Sequence, residues 1–378
     1  MTSADQRQRL TDAMEQRGAW PERAPWIRQA AEALPREVFA PGRVWRWTGH
    51  AYLPVDRDAD PDGWAAVVYP GPSDATVTQV EGGVPTSSLS CEAIVADMLD
   101  SLLLEPGHRV LELGTGAGRN AALMATRTGP TGLVTSVEVD ESLAELARER
   151  IKAAGVDVTV VVADGAKGWP DGAPYDRVMA TYAVDRIPWA WVEQTRPGGR
   201  IVAPWGRLGY VALTVADDGR SASGWLQGLA QFMPSREAGP ARGVQEVRGE
   251  TSVADEHLFV RDLAPLAGGH LLFALRVALP DVVVTTMRDE DGLNVFLHDG
   301  DASWATICSQ GDGRIVAFQG GSRRLADEVE RVWDLWIAAG SPSVYDFGMT
   351  VEPGCQTVWC RDRSAAPWWV EDTSTIAH

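Results

Sequence analysis

The chain has 378 residues, of which 45% are hydrophobic and 23% charged, and its formal net charge is −18. That length accommodates two domains, each with its own core, and the acidic balance argues against a nucleic-acid partner, whose phosphates call for clustered Lys and Arg. No run of about 18 apolar residues occurs, which argues against a membrane partner or span, and the polar start "MTSADQRQRLTDAMEQRG" has no signal-peptide core, so a cytoplasmic location is expected.

Residues 1–50 read as helical, with Ile27, Ala30, Ala31 and Leu34 on one face, followed by "LPREVFAPGRVW". Residues 51–85 are rich in Pro, Asp and Gly and read as loops with short strands. From Ser88 to about Val215, apolar β-type runs ("RVLEL", "LVTSVEV", "VTVVVA", "YDRVMATY", "GRIVAPW") alternate with amphipathic helices ("CEAIVADMLDSLL", "NAALMATRT", "SLAELARERIKAAG"). Such alternation predicts an α/β fold with a parallel sheet covered on both faces. Beyond residue 216 the runs "SGWLQGLAQFMP", "LLFALRVALPDVVVTTM", "LNVFLHDG", "SWATICSQ" and "GRIVAFQG" read as β-rich, with one strong helix ending near Gly340. A domain of residues 1–215 and a strand-rich α+β domain of 216–378 are expected. The four cysteines are too scattered for a disulfide scaffold. Cys355 and Cys360 lack further ligands nearby, so no metal is expected.

In "RVLELGTGAGRN", Gly114, Gly116 and Gly118 follow an apolar strand and open a helix. Bare backbone there permits a sharp turn and close approach by a nucleotide-like ligand. Glu138 ends the next strand, placed to accept hydrogen bonds from both ribose hydroxyls, and Asp164 ends the third, where an adenine amino group would sit. A dinucleotide and S-adenosylmethionine both fit that skeleton. The GxGxG spacing, in place of GxGxxG, and the late Pro-Gly-Gly turn in "RPGGRIVAPWG" favour S-adenosyl-L-methionine, on a class I methyltransferase fold with a Rossmann-like sheet. Candidate cofactor-binding residues are therefore Glu112, Gly114, Thr115, Gly116, Gly118, Asn120, Glu138, Val139, Asp164, Gly165 and Thr181.

The segment from Ser88 to Gly206 resembles the protein L-isoaspartyl (D-aspartyl) O-methyltransferases in "RVLELGTGAG", "SVEVD", "ADGAKGW", "APYDRVMATYAVDRIP" and "PGGRIVAPWG". The upstream "LPREVFAP" is similar to that family's N-terminal element. The resemblance implies that a Ser-rich loop holds a substrate carboxylate near the sulfonium methyl. In "PTSSLSCEAIVADML" the matching catalytic positions are Ser88 and Ser90, with Ser87 beside the substrate, while Tyr182, Ala183 and Val184 line the acceptor side. This chain departs from the family pattern at Cys91-Glu92, where a proline often stands. Ser90 read only as a helix N-cap is the competing structural role. An aspartyl carboxylate, with a pKa near 4, arrives ionised and needs no strong base, so positioning is the whole mechanism.

The added C-terminal region and "GGVPTSSLS" resemble long relatives that methylate one Asp of a modified, macrocyclic ribosomal peptide. In the methyl ester so formed a neighbouring backbone nitrogen attacks the ester carbonyl, displaces methanol and closes an aspartimide. The implied partner is a modified precursor peptide, with Arg323 and Arg324 as candidate contacts and Trp333 and Trp336 as candidate anchors. The alternatives are a general isoaspartyl repair methyltransferase, a non-catalytic S-adenosylmethionine- or peptide-binding module and, more distantly, an NAD-dependent oxidoreductase.

Overall fold

The computed structural model describes residues 2–236, 242–250 and 252–372. It divides into two compact units, Met1–Pro204 with Ala212–Ser223 and Trp205–Val211 with Gly224–His378. The change in sequence character near residue 216 falls among the three points at which the chain passes from one unit to the other.

The first unit opens with α1 (Ser3–Gln16), α2 (Trp26–Ala33) and the single turn α3 (Arg36–Phe39). Thr2 caps α1: its hydroxyl accepts from the Asp5 N–H and the Asp5 carboxylate accepts from the Thr2 N–H. Ile27, Ala30, Ala31 and Leu34 are buried as their spacing predicts. The expected helical character stops short of residue 50, because β1 (Arg43–Trp47) pairs in a hairpin with β2 (Tyr52–Asp56). Alternation of a buried Val44 with large aromatic residues favours a strand there. After α4 (Pro61–Val68), β3 (Thr76–Glu81) and β4 (Val84–Leu89) complete a four-stranded antiparallel sheet of order β2-β1-β3-β4.

The α/β portion follows as α5 (Glu92–Leu102), β5 (Arg109–Leu113), α6 (Arg119–Thr128), β6 (Leu133–Glu138), α7 (Glu141–Ala153), β7 (Thr159–Val162), β8 (Tyr175–Ala180), α8 (Trp189–Glu193) and β9 (Thr195–Trp205). The strands run in the order β9-β8-β5-β6-β7 with every neighbouring pair parallel. The strand order reverses at β5, so the crevice beyond the carboxyl ends of β5 and β8 is where a ligand of such a sheet belongs. The Pro-Gly-Gly segment is a bulge within β9 and not a turn ahead of it. Tyr175 pairs with Thr195 but Arg177 with Arg200, so the residues between loop out of register.

β10 (Gly209–Val215) and β11 (Ala222–Leu229) lead into the second unit. It continues with α9 (Val244–Arg248), β12 (Asp255–Leu258), α10 (Ala264–Ala267), α11 (His270–Ala278), β13 (Val283–Arg288), β14 (Leu293–His298), β15 (Trp304–Ser309), β16 (Ile315–Gly320), α12 (Leu325–Ala338), β17 (Phe347–Glu352), β18 (Cys355–Cys360) and β19 (Trp369–Asp372). An antiparallel sheet of order β12-β16-β15-β14-β13 lays Val295, Leu297 and Ile307 against Leu275, Val329 and Trp333. One expectation fails here. "LLFALRVA" is a helix, because a short, unbroken apolar run has no period, and its Leu and Ala content favours α. Gly340, with φ +79°, terminates α12 as expected. Among the described residues no helix is long and apolar enough to cross a membrane.

Candidate active site

Three glycines with left-handed φ (Gly114 +95°, Gly116 +52°, Gly118 +89°) carry the chain from β5 into α6. Two of them are required by their neighbours. A Cβ on Gly114 would lie 2.5 Å from Thr181 Oγ1, and one on Gly118 would press on Ile151 of α7 at 3.0 Å. Gly116 differs, since the nearest atom to its missing Cβ is Ser87 Oγ at 3.6 Å, with the Ser88 carbonyl oxygen at 3.9 Å. The turn after β5, the end of β8 and the serine strand β4 therefore meet at the strand-order reversal.

Glu138 closes this turn from the end of β6. Its Oε2 accepts from the Gly116 N–H at 2.8 Å, and its Oε1 accepts from the N–H groups of Val139 and Asp140 at 3.0 and 3.1 Å. Asp164 caps the following turn by accepting from the Ala166 N–H at 2.9 Å. Next to it, Gly165 faces the Tyr182 hydroxyl, which a Cβ would approach to 2.6 Å. Thr181 donates its hydroxyl hydrogen to the Gly114 carbonyl oxygen at 2.5 Å, and Val139 is exposed. Ala183 and Val184 are both buried, and the Val184 N–H donates to the Pro204 carbonyl.

Beneath the turn lies a second polar layer. Glu112 is wholly buried; its Oε1 accepts from Asn120 Nδ2 at 2.8 Å and its Oε2 from the Ser136 hydroxyl, which also meets Thr115 Oγ1 at 2.6 Å. Burial raises the Glu112 carboxyl pKa to about 7, against the pull of Ser136 and Asn120, and among the described residues no cation offsets it. The side chains of Glu112, Thr115 and Asn120 are thus engaged with one another and with Ser136 below the glycines.

The serines are held from the other side. Cys91, not Ser90, is the N-cap of α5, and no side chain caps that helix, so the competing role for Ser90 falls away. Ser87 is buried, and Ser88 and Ser90 are half-buried. Among the described residues no hydrogen bond engages the hydroxyl of any of the three. The backbone around Ser90 is pinned by Arg36, a buried residue of α3. Its Nη1 donates to the Ser90 carbonyl at 2.7 Å, its Nη2 to Leu89 O at 3.2 Å and to Thr76 Oγ1 at 3.0 Å, and its Nε to Val68 O at 2.8 Å. Glu92 lies 3.4 Å from Arg36 Nη1 and accepts two 2.8 Å hydrogen bonds from Arg119, whose Nε donates to Leu34 O. All three charged side chains are at most 5% exposed. Burial pushes the Glu92 carboxyl up, but the guanidinium groups of Arg119 and Arg36 hold it below the ordinary value; burial brings Arg36 down to about 10.

Sequence reasoning passed over this cluster. A signal existed in Arg119, a cation on the first turn of a helix, where the dipole disfavours it unless an anion compensates. In the second unit, Arg323 is ion-paired with Asp281 and Glu328, and Arg324 donates to the Gly321 carbonyl. Trp333 is buried in that unit's core, and Trp336 packs against it while donating to Pro342 O.

Known proteins resemble both the turn and the chain around it. The family model "Protein-L-isoaspartate(D-aspartate) O-methyltransferase (PCMT)" matches residues 66–223. The protein-L-isoaspartate O-methyltransferase of Methanothermobacter thermautotrophicus is 34% identical over 238 residues, which cover 61% of this chain and 94% of that protein. The enzyme of the same name from Ignicoccus hospitalis is 47% identical over 118 residues, 31% of this chain; there the chain spans only about half, 56%, of its relative. A solved structure named protein-L-isoaspartate O-methyltransferase shares the fold with a TM-score of 0.53 at 21% identity, covering 94% of this chain and all of the other.

Proposed function

Starting from a chain that belongs to the protein-L-isoaspartate(D-aspartate) O-methyltransferase family, we propose that it transfers a methyl group from S-adenosyl-L-methionine to the side-chain carboxylate of an aspartyl or isoaspartyl residue. The observation that carries this reading is the meeting of the Gly116 turn with the serine strand, Ser87 Oγ being 3.6 Å from the position of the missing Cβ. Donor and acceptor thereby share one crevice.

The residues present fit the donor. No side chain fills the space beside Gly116 to closer than 3.6 Å, and Glu138 Oε2 accepts a single hydrogen bond, which leaves a lone pair for a ribose hydroxyl. Glu138 would hold the ribose and Asp164 the adenine amino group. When bound, S-adenosylmethionine supplies a methyl group activated by its sulfonium. Ser88 and Ser90 offer uncommitted hydroxyls that orient the carboxylate without neutralising it, and Arg36 fixes the backbone that presents Ser90. Tyr182, whose hydroxyl stands over Gly165, borders the crevice at the end of β8. An ionised acceptor needs alignment and exclusion of water more than proton transfer.

Of the two acceptors, an isoaspartyl residue in proteins is better supported, since it is the one in the names of the family and its relatives. The narrower reading, an Asp of a macrocyclic ribosomal peptide carried on to an aspartimide, rests on the sequence resemblance of the chain beyond residue 223, and a solved protein-L-isoaspartate O-methyltransferase whose match covers 94% of this chain has comparable length there. Calorimetric titration with S-adenosylmethionine tests the donor site. The wild type is expected to bind one equivalent and Glu138→Ala to bind at least tenfold more weakly, through the loss of the charge-assisted bond to a ribose hydroxyl. A wild type that takes up no donor removes the basis of the proposal.

A further inference from the structure

The antiparallel sheet that carries the serines is covered on one face around Val44 and Val55, and on the other face Trp47 and Pro54 are exposed and Trp45, Tyr52, Val77 and Ser88 half-buried. Val44 and Val55 are buried on the covered side, where α4 packs with its own buried Trp64. Residues directly opposite on antiparallel neighbours share a face. The pairings Trp47↔Tyr52, Trp45↔Pro54, Trp45↔Val77 and Val77↔Ser88 therefore set all six side chains on that other face. The solvent face of such a sheet is ordinarily polar, yet this one presents two tryptophans, a tyrosine, a proline and a valine. Trp47 is 54% exposed, and its ring tilts against Tyr52 with centroids 4.9 Å apart. Arg43 and Asp56, opposite one another at the end of the strip, pair at 2.8 Å and cancel in charge.

We infer that this aromatic strip is a docking platform for an apolar side chain of the acceptor peptide, on one side of the methylated residue. The inference rests on the function proposed above, because Ser88, at the end of the strip, is what joins the surface to the acceptor carboxylate. Its occupant is an extended peptide segment with an aliphatic or aromatic side chain, selected by apolar contact since the strip has no unbalanced charge. Ser88 and Trp45 are separated by two strand spacings, about 10 Å, which an extended peptide covers in about three residues. The platform thus reads the residue about three positions from the acceptor. Large, stiff aromatic rings give such contacts area at little entropic cost.

The test uses linear isoaspartyl peptides that differ only in having Leu or Ser three residues before or after the isoaspartate. Initial rates give kcat/KM, and tryptophan fluorescence with S-adenosylhomocysteine present gives binding. On one side of the acceptor the wild type is expected to prefer Leu about tenfold, the discrimination typical of an apolar pocket. The double variant Trp45→Ala/Trp47→Ala should bring that ratio close to one through KM, while Trp47→Phe keeps most of it. Transfer without a Leu preference, or a preference that survives the double variant, overturns the platform and leaves the methyl-transfer reading intact. A Leu preference in binding without transfer to any peptide overturns the methyl-transfer reading and supports the platform. Neither binding nor transfer overturns both.

Discussion

Glu112, next to last in β5, and Glu138, at the end of the adjacent β6, have different partners. Glu138 accepts three backbone N–H bonds at the rim, whereas Glu112 is sealed below the turn with only neutral partners. With its pKa raised from 4.5 to about 7 in the folded chain, Glu112 binds a proton more tightly when folded. Folding stability therefore declines as pH rises from about 4.5 to about 7, by on the order of 3 kcal/mol at about 1.4 kcal/mol per pKa unit. Glu112→Gln retains the shape without the titration. Urea unfolding at pH 5 and pH 8 should show the variant gaining on the wild type by roughly that amount at the higher pH; a gap independent of pH would show Glu112 ionised and compensated. The sequence assigns both carboxylates to the cofactor site, and the structure places Glu112 near the end of β5 and Glu138 at the end of β6. Both are buried, and what separates them is their partners: Glu138 meets backbone N–H groups, whereas Glu112 meets Asn120 and Ser136, residues 8 and 24 positions away, which no local pattern links to it.

At the scale of elements, the site depends on α3, the β4–α5 junction and α6 being fastened together by Arg36, Glu92 and Arg119. Removing the anion leaves two buried guanidinium groups uncompensated. Glu92→Gln should cost about 3–5 kcal/mol at pH 7. Because the folded state holds the Glu92 pKa below its usual 4.5, its contribution is fully present above that pH and is lost as pH falls through the folded pKa. The difference between variant and wild type should shrink in acid unfolding curves, and a change below about 1 kcal/mol at pH 7 would show the cluster to be dispensable. The alternating β and α runs were legible because hydrophobic period and glycine punctuation are local. Three features were not. The helix at His270–Ala278 lacks a readable period, the bulge at Arg196–Gly199 is a matter of register, and the β1–β2 hairpin follows a stretch that reads as helix. Each is decided by what the segment packs or pairs with.

For the molecule as a whole, the net charge of −18 weighs against a polyanionic partner. In the first unit the parallel sheet was legible, because the glycine turn, Glu138 and Asp164 sit at or just past strand ends, where such a sheet gathers its ligands, whereas Ser87 and Ser88 lie on β4 of the antiparallel sheet, whose pairing no local pattern announces. In the second unit β11 and β13 to β16 were legible, whereas β12, β17, β18 and β19 were not, and Arg323, a candidate peptide contact by sequence, is held by Asp281 and Glu328. The most direct test of the central claim is transfer of a labelled methyl group from S-adenosylmethionine to an isoaspartyl peptide, followed by mild alkali. An ester of a side-chain carboxylate, held in place by Ser88 and Ser90, predicts label on the peptide that is released as methanol. Label that resists alkali, or no transfer to linear or cyclised aspartyl and isoaspartyl peptides, would contradict it.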